Sequence, residues 1–240
     1  MPTVEEQLQV EQKHQYVRGM FNNISPRYDF LNHFLSAGAD RYWRRRAIKM
    51  SGLEKDSLFL DVACGTGDLS MEASKRNPAG IVAVDFSENM LRRFQTKCAS
   101  SSSNGRTRMI QANAEMLPFA DNVFDVIGVA FGVRNFGDLE RGLSEMRRVL
   151  KVGGNVVILE FSKPKRFPVK QIYFYYFQKI LPTIGKLVSG DGGAYNYLPR
   201  SVSSFPDGVD FEKLMLGVKF TRVESVSLTF GIATAYLGSK

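Results

Sequence analysis

Hydrophobic positions along this chain fall into two alternating patterns. The short runs Leu58–Val62, Ile81–Asp85, Thr107–Gln111, Phe124–Ala130 and Asn155–Phe161 read as strands, mostly of the near-continuous apolar kind that is buried on both faces. Between them, Asp68–Lys75, Glu88–Cys98 and Leu139–Leu150 read as helices, with a Ser-rich connection over Ser100–Gly105. Five strands joined by crossover helices predict a parallel, doubly wound sheet. Upstream, Glu5 to Met50 reads as helices broken at Ser25-Pro26 and around Ser36–Gly38, a cap preceding the first strand. Downstream of a long insertion, a helix over Asp210–Leu216 and the runs Phe220–Val226 and Ser227–Leu237 predict a terminal antiparallel pair.

The chemistry concentrates at the strand-to-helix turn Asp61-Val62-Ala63-Cys64-Gly65-Thr66-Gly67-Asp68. Gly65 and Gly67 let the backbone take unusual φ values and approach a ligand closely, and the first amides of the next helix are free to receive a carboxylate or phosphate. Such a turn is also common without any ligand. What raises it is Asp85, an acid at the end of the second strand, where a parallel βαβ unit presents a carboxylate to a ribose. The pair of loops resembles the S-adenosylmethionine (SAM) methyltransferases more than dinucleotide enzymes. Ser70 stands where the dinucleotide fingerprint needs a third glycine, while Asp61, Gly65 and Gly67 match acid-x-Gly-x-Gly-x-Gly with Ala63 in the first glycine position.

Composition narrows the rest. At 240 residues and 44% hydrophobic, the chain is long enough for one well-filled domain. It holds no apolar run of about 20 residues to span a bilayer. Glu5, Glu6 and Glu11, with no apolar core segment, set the N-terminus apart from a signal or transit peptide, so a cytoplasmic protein is expected. Two cysteines, Cys64 and Cys98, form neither a disulfide framework nor a zinc set, and no metal is expected. A net charge of +8 favours an anionic partner surface.

Three further patches carry polar groups in telling places. Asn113-Ala114-Glu115-Met116-Leu117-Pro118-Phe119 follows the third strand, where a polar loop can meet an adenine edge. Phe131-Gly132-Val133-Arg134-Asn135-Phe136 lies beyond the carboxyl end of the fourth strand, where ligands bind in open α/β sheets; the competing reading is an arginine salt-bridged at the sheet edge. The insertion Lys163 to Arg200 holds seven basic residues, one acid and eight aromatics. Within it, Ile172–Phe177 covers nearly every face of a helix with apolar surface, which suits either a buried helix or one lying at a lipid headgroup boundary.

Together these motifs resemble the UbiE/Coq5 family, the C-methyltransferases of ubiquinone and menaquinone biosynthesis. The match runs through Tyr28-Asp29-Phe30-Leu31-Asn32, then Leu35-Ser36, Gly38 and Arg41-Tyr42-Trp43, then Phe131–Asn135, Arg148–Gly154, Leu159–Pro164, Tyr197-Leu198-Pro199 with Ser201, and Phe205-Pro206-Asp207. Asp40 stands where many members have His, which argues against catalysis at that position, and Val152 stands where Pro is usual. The resemblance implies a class I SAM-dependent methyltransferase fold: a Rossmann-like seven-stranded sheet with its last strand antiparallel. A helical cap over residues 1–50 would precede the SAM-binding domain of residues 51–240, with a helical lid inserted at about 163–208 after strand five, all acting as one unit. It places SAM against Asp61, Gly65, Thr66, Gly67, Asp85, Asn113 and Ala114, and the catalytic group at Arg134 and Asn135, with Tyr28 as a further member. It implies a polyprenyl quinol substrate, hence a peripheral visit to an anionic membrane surface, and leaves homo-oligomerisation open.

Losing a hydroxyl proton makes a quinol ring carbon nucleophilic, so the protein has only to orient ring and methyl and favour the phenolate. Arg134 suits electrostatic activation rather than proton abstraction, because a guanidinium stays protonated. His33, in the same signature segment, is the other candidate base. Demethylmenaquinol is the favoured substrate and the methoxy-benzoquinol of the ubiquinone branch the alternative. Two other classes compete: a nucleic-acid methyltransferase, disfavoured because no Cys follows the fourth strand, and a SAM-binding scaffold without turnover.

Overall fold

The computed structural model describes residues 4–25, 36, 38–99, 106–176 and 192–240. Tyr28, His33 and the serine patch 100–105 lie outside these residues, as does the end of the aromatic run from Phe177 onward.

A single seven-stranded sheet organises the chain in the order β3-β2-β1-β4-β5-β7-β6. The strands are β1 (Leu58–Val62), β2 (Gly80–Asp85), β3 (Thr107–Gln111), β4 (Phe124–Ala130), β5 (Leu150–Phe161), β6 (Thr221–Leu228) and β7 (Ala233–Ser239). β1 to β5 run parallel, and β7 is antiparallel to both of its neighbours, β5 and β6. Phe59, Leu60, Val62, Ile127 and Val129 are fully or almost fully buried because helices cover both faces of the sheet. Burying each such side chain contributes about 1.5 to 3 kcal/mol.

The crossover helices form where their sequence alternates by 3.6. α1 (Val4–Ile24) and α2 (Ala39–Met50) precede the sheet; α3 (Asp68–Ser74), α4 (Glu88–Ala99) and α5 (Leu139–Val149) connect its strands. α5 shows the pattern most clearly: Asp138 caps it by accepting from the Arg141 amide at 3.0 Å, and Leu143, Met146 and Val149 point into the core. The order of strands reverses between β1 and β4, which opens a crevice at their carboxyl ends.

Two boundaries differ from the sequence expectation. β5 starts at Leu150 rather than Asn155: Leu150 already pairs with Phe124, and a register shift then absorbs the Val152-Gly153-Gly154 turn. The break in the terminal pair falls at Thr229–Gly231, not between Val226 and Ser227. Thr229, Phe230 and Gly231 all take positive φ there, and the Trp43 indole donates to the Thr229 hydroxyl at 2.7 Å, so a contact from α2 places the turn. Of those three, only Gly231 was a local cue.

Between β5 and β6 the chain leaves the sheet as α6 (Val169–Tyr175), α7 (Gly192–Ser204) and α8 (Val209–Gly217). The start and return of this insertion are clipped together. The Lys163 amide donates to the Asp207 carboxylate at 3.0 Å, and Lys163 Nζ pairs with the same carboxylate at 2.8 Å. In α6 one side is packed and another is bare: Tyr173 is 5% exposed against Val202, while Ile172 and Tyr175 are 65% and 64% exposed.

Candidate active site

The glycine turn is built from backbone conformation. Gly67 has φ +84, and a Cβ there would lie 2.1 Å from the Phe94 ring, so only glycine closes β1 onto α3. Gly65 has φ +55. Ala63, in the position where the motif has its first glycine, also takes positive φ, at 53°, a conformation that disfavours a side chain by about 1 to 2 kcal/mol. Its Cβ in turn shapes the facing strand end: a Cβ on Gly132 would lie 2.7 Å from it.

Two acids hold this turn, Asp61 buried and Asp85 half-buried. Asp85 accepts from the Gly65 amide at 2.7 Å through Oδ2 and from the Ser87 amide at 2.8 Å through Oδ1. It ties the end of β2 to the loop after β1, and lone pairs remain for a ligand. Asp61 accepts from the Ser70 hydroxyl at 2.6 Å through Oδ2, while its Oδ1 is buried without a hydrogen-bond partner. Burial pushes the Asp61 carboxyl up to about 7, against the opposing hydrogen bonds from Ser70. Burial raises Asp85 as well, and its amide donors oppose that.

A pocket of about 740 Å³, mouth included, opens in front of this loop. Ala63, Gly65, Asp85, Asn113, Ala114 and Asn135 all line it. Thr66, Gly67 and Asp61 do not; Thr66 is buried and its hydroxyl accepts from Lys97 Nζ at 3.5 Å. Asn113 shapes the wall locally, accepting from the Glu115 amide at 2.9 Å, and Arg148 of α5 clamps the same loop through the Leu117 and Phe119 carbonyls.

α1 forms the outer wall, contributing His14, Val17, Arg18 and Phe21. Polar contacts fasten it there. His14 Nε2 lies 2.8 Å from Glu115 Oε1, the Ser87 hydroxyl donates to Asn22 Oδ1 at 2.6 Å, and Lys13 Nζ donates to the Phe136 carbonyl. The Arg18 guanidinium stacks 5.3 Å from the Phe86 ring centre. Sequence reading assigned no role to His14 or Glu115. A lone His in a polar helix gives no signal, and their pairing spans 101 residues.

At the other end of the pocket, Asn135 lines the wall from a 3-10 turn after β4 (Val133–Asn135), while Arg134 of the same turn does not line it. Phe131 bends into it with φ +60 and stacks 4.6 Å from Phe161. Arg134 Nη1 donates to Glu160 Oε1 at 2.7 Å and also to the Phe131 carbonyl. The pair is deeply buried, with side chains 6% and 0% exposed. Burial raises the Glu160 carboxyl and Arg134 opposes this. The structure thus shows the competing reading for Arg134, an arginine salt-bridged beyond the end of β4. Arg134 Nε and Asn135 Oδ1 remain buried without partners. The Asn135 amide is oriented by its Nδ2, which faces the Phe131 carbonyl at 3.4 Å, leaving Oδ1 as an acceptor. Glu160 lay inside a matched motif but was given no role. Asp40 is structural: it is 2% exposed, ion-paired with Arg44 and bonded by the Ser36 hydroxyl at 2.8 Å.

Comparison with known proteins agrees with this geometry. Residues 9–240 match the ubiE/COQ5 methyltransferase family. The chain is 48% identical over 231 residues to the ubiquinone/menaquinone biosynthesis C-methyltransferase UbiE of Geobacter sulfurreducens, covering 95% of this chain and 90% of that protein. It is 44% identical over 229 residues to the demethylmenaquinone methyltransferase of Bacteroides fragilis, covering 95% and 94%. Among solved structures, a SAM-dependent methyltransferase from Thermotoga maritima superposes with a TM-score of 0.67 at 18% identity, covering 93% of this chain and 99% of that one. One from Aquifex aeolicus gives 0.59 at 18% identity, covering 81% and 88%.

Proposed function

Because the chain belongs to the ubiE/COQ5 methyltransferase family, we propose that it methylates a ring carbon of a polyprenylated quinol, demethylmenaquinol to menaquinol in the first place, with SAM as methyl donor. The observation that carries this reading is a single pocket with the glycine loop and Asp85 at one end and Asn135 at the other. A Cβ at Gly67 would fill the turn that shapes the loop. Gly65, Asp85, Asn113 and Ala114 would hold SAM directly, while Asp61, Thr66 and Gly67 would shape the loop behind it. When bound, SAM supplies an electrophilic sulfonium methyl that an electron-rich ring carbon takes as the ring releases a proton.

The protein's own part is placement and charge. Arg134, fixed by Glu160, stabilises negative charge on a ring oxygen with a guanidinium that needs no reorganisation. Asn135 Oδ1 accepts a hydrogen bond, so it orients a hydroxyl rather than a carbonyl. α1 and Phe136 wall the pocket against water. Glu160 offsets the cost of burying the Arg134 guanidinium, which would be large for an unpaired charge.

The test is methyl transfer from labelled SAM to reduced demethylmenaquinol, and separately to a polyprenyl methoxy-benzoquinol, with the products identified by mass spectrometry. Turnover on the naphthoquinol alone fixes the menaquinone branch, turnover on both gives a dual role, and SAM binding without turnover on either leaves a scaffold. Asp85→Ala should weaken SAM binding by about 1.5 to 3 kcal/mol in a folded protein, as read by calorimetry.

The substrate's prenyl tail implies contact with a lipid surface, which the insertion favours. Among the described residues, no helix is long and apolar enough to cross a membrane. Phe167, Ile172 and Tyr175 are exposed beside the exposed cations Lys165, Arg166 and Lys170, a composition suited to the headgroup boundary. Binding to anionic vesicles should fall with added salt. It should disappear when Phe167, Ile172 and Tyr175 are all changed to Ser, while turnover of a short-chain quinol survives.

A further inference from the structure

Among the described residues, several buried side-chain atoms without a hydrogen-bond partner lie at the glycine turn and around the turn after β4. Asp61 Oδ1 belongs to the glycine turn, and Arg134 Nε and Asn135 Oδ1 belong to the turn after β4. Tyr197 Oη is another such atom, and it comes from α7, in the insertion. No role has been assigned to it above.

Its position joins three elements. α7 packs against the 3-10 turn that carries Arg134 and Asn135, and against α1. The Tyr197 ring lies 5.7 Å from that of Tyr16 on α1. The charges of Arg134 and Glu160 both act on the Tyr197 hydroxyl, which burial keeps protonated. A protonated phenol both donates and accepts. Left unpaired in a buried place, a hydroxyl destabilises the fold relative to the same ring without it. Phenylalanine would fill the space without that cost, so the oxygen needs a partner that the protein itself does not supply.

We propose that Tyr197 is a substrate-orienting residue whose hydroxyl hydrogen-bonds the second ring oxygen of the quinol, the one that stays protonated while Arg134 holds the other. This rests on the quinol reading given above. It makes the insertion part of the ring site as well as a covering element. A ring held at both oxygens can present only one of its edges to the methyl donor, so Tyr197 contributes to which carbon is methylated.

The test compares wild type with Tyr197→Phe in the presence of S-adenosylhomocysteine. Two ligands are used: a short-chain demethylated naphthoquinol, and a naphthol of the same chain length that lacks the second hydroxyl. The quinol Kd should rise about tenfold in the variant, the equivalent of one lost hydrogen bond, while the naphthol Kd changes less than twofold. The ligand-free melting temperature should hold or rise, since an unpartnered hydroxyl has been removed. Equal weakening of both ligands, or a lowered melting temperature, would mean a structural role and overturn the proposal. So would an unchanged quinol Kd, the result expected if only water meets the hydroxyl. If the wild-type protein neither binds nor methylates the quinol, the functional reading falls and this inference falls with it; an active wild type with an unaffected variant sinks the inference alone.

Discussion

The two ends of the pocket are built by different means. The glycine turn depends on backbone: Ala63, Gly65 and Gly67 at positive φ, with the Gly65 amide bonded to Asp85 from the neighbouring strand. The end after β4 depends on side chains brought from far apart, with Arg134 held by Glu160 and α7 of the insertion packed against the same turn. A backbone-built site tolerates little change in residue size and much in distant sequence. A side-chain-built site is the reverse. Its chemistry depends on whether a few remote partners arrive together.

That contrast breaks most directly at Gly67. Gly67→Ala puts a Cβ 2.1 Å from the Phe94 ring at a φ of +84, so it should destabilise the fold by about 3 to 5 kcal/mol through overpacking and backbone strain. Urea denaturation reads the loss, and a variant as stable as wild type would show that backbone shape is not what builds this end. Next in size is Glu160→Gln. Gln keeps an acceptor but leaves the Arg134 charge buried without its counter-charge, for a loss of about 2 to 3 kcal/mol. SAM affinity should hold while turnover falls; equal loss of both would mean that the two ends do not act separately.

A pH measurement sharpens the comparison further. The Asp61 carboxyl is raised from 3.8 to about 7 by burial, so the folded protein holds this proton more tightly than the unfolded chain. The stabilisation is complete below about pH 4 and is lost as pH rises through about 7. Asp61→Asn, which cannot ionise, should therefore gain stability relative to wild type between pH 5 and pH 8.5. Parallel melting curves for the two proteins across that range would contradict the assignment. The smallest effect is expected at Ala63→Gly, which relieves a positive φ and should stabilise by about 1 kcal/mol, a rise of about 2 to 4 °C in melting temperature.

The same division explains what could be read from sequence. The strand runs, the glycine turn and Asp85 were legible because each rests on local pattern: apolar stretches, a glycine where φ is positive, an acid at a strand end. The position of Arg134 and Asn135 just beyond β4 was legible from the strand pattern, while their proposed roles come from the family resemblance. Glu160 and His14 were not given roles, because a carboxylate 26 residues from its arginine and a histidine 101 residues from its glutamate leave no periodic trace. The terminal turn was misplaced for a related reason. Trp43 fixes it from a distance of 186 residues, and Thr229 and Phe230 take positive φ without the Asn or Gly that usually marks such a bend.

The order of the last strands has a consequence for synthesis. A ribosome delivers β6 before β7, yet β7 lies between β6 and β5, pairing with β5 over residues 155–161 and 233–239. While the chain is growing, β6 has no place to dock, and the apolar edge Val156-Val157-Ile158-Leu159 stays open until residues 233–239 leave the exit tunnel. An open apolar edge invites pairing with a neighbouring nascent chain. Stalled or interrupted translation between residues 200 and 233 should therefore yield aggregates or chaperone clients, even though the residues of both pocket ends have already been made.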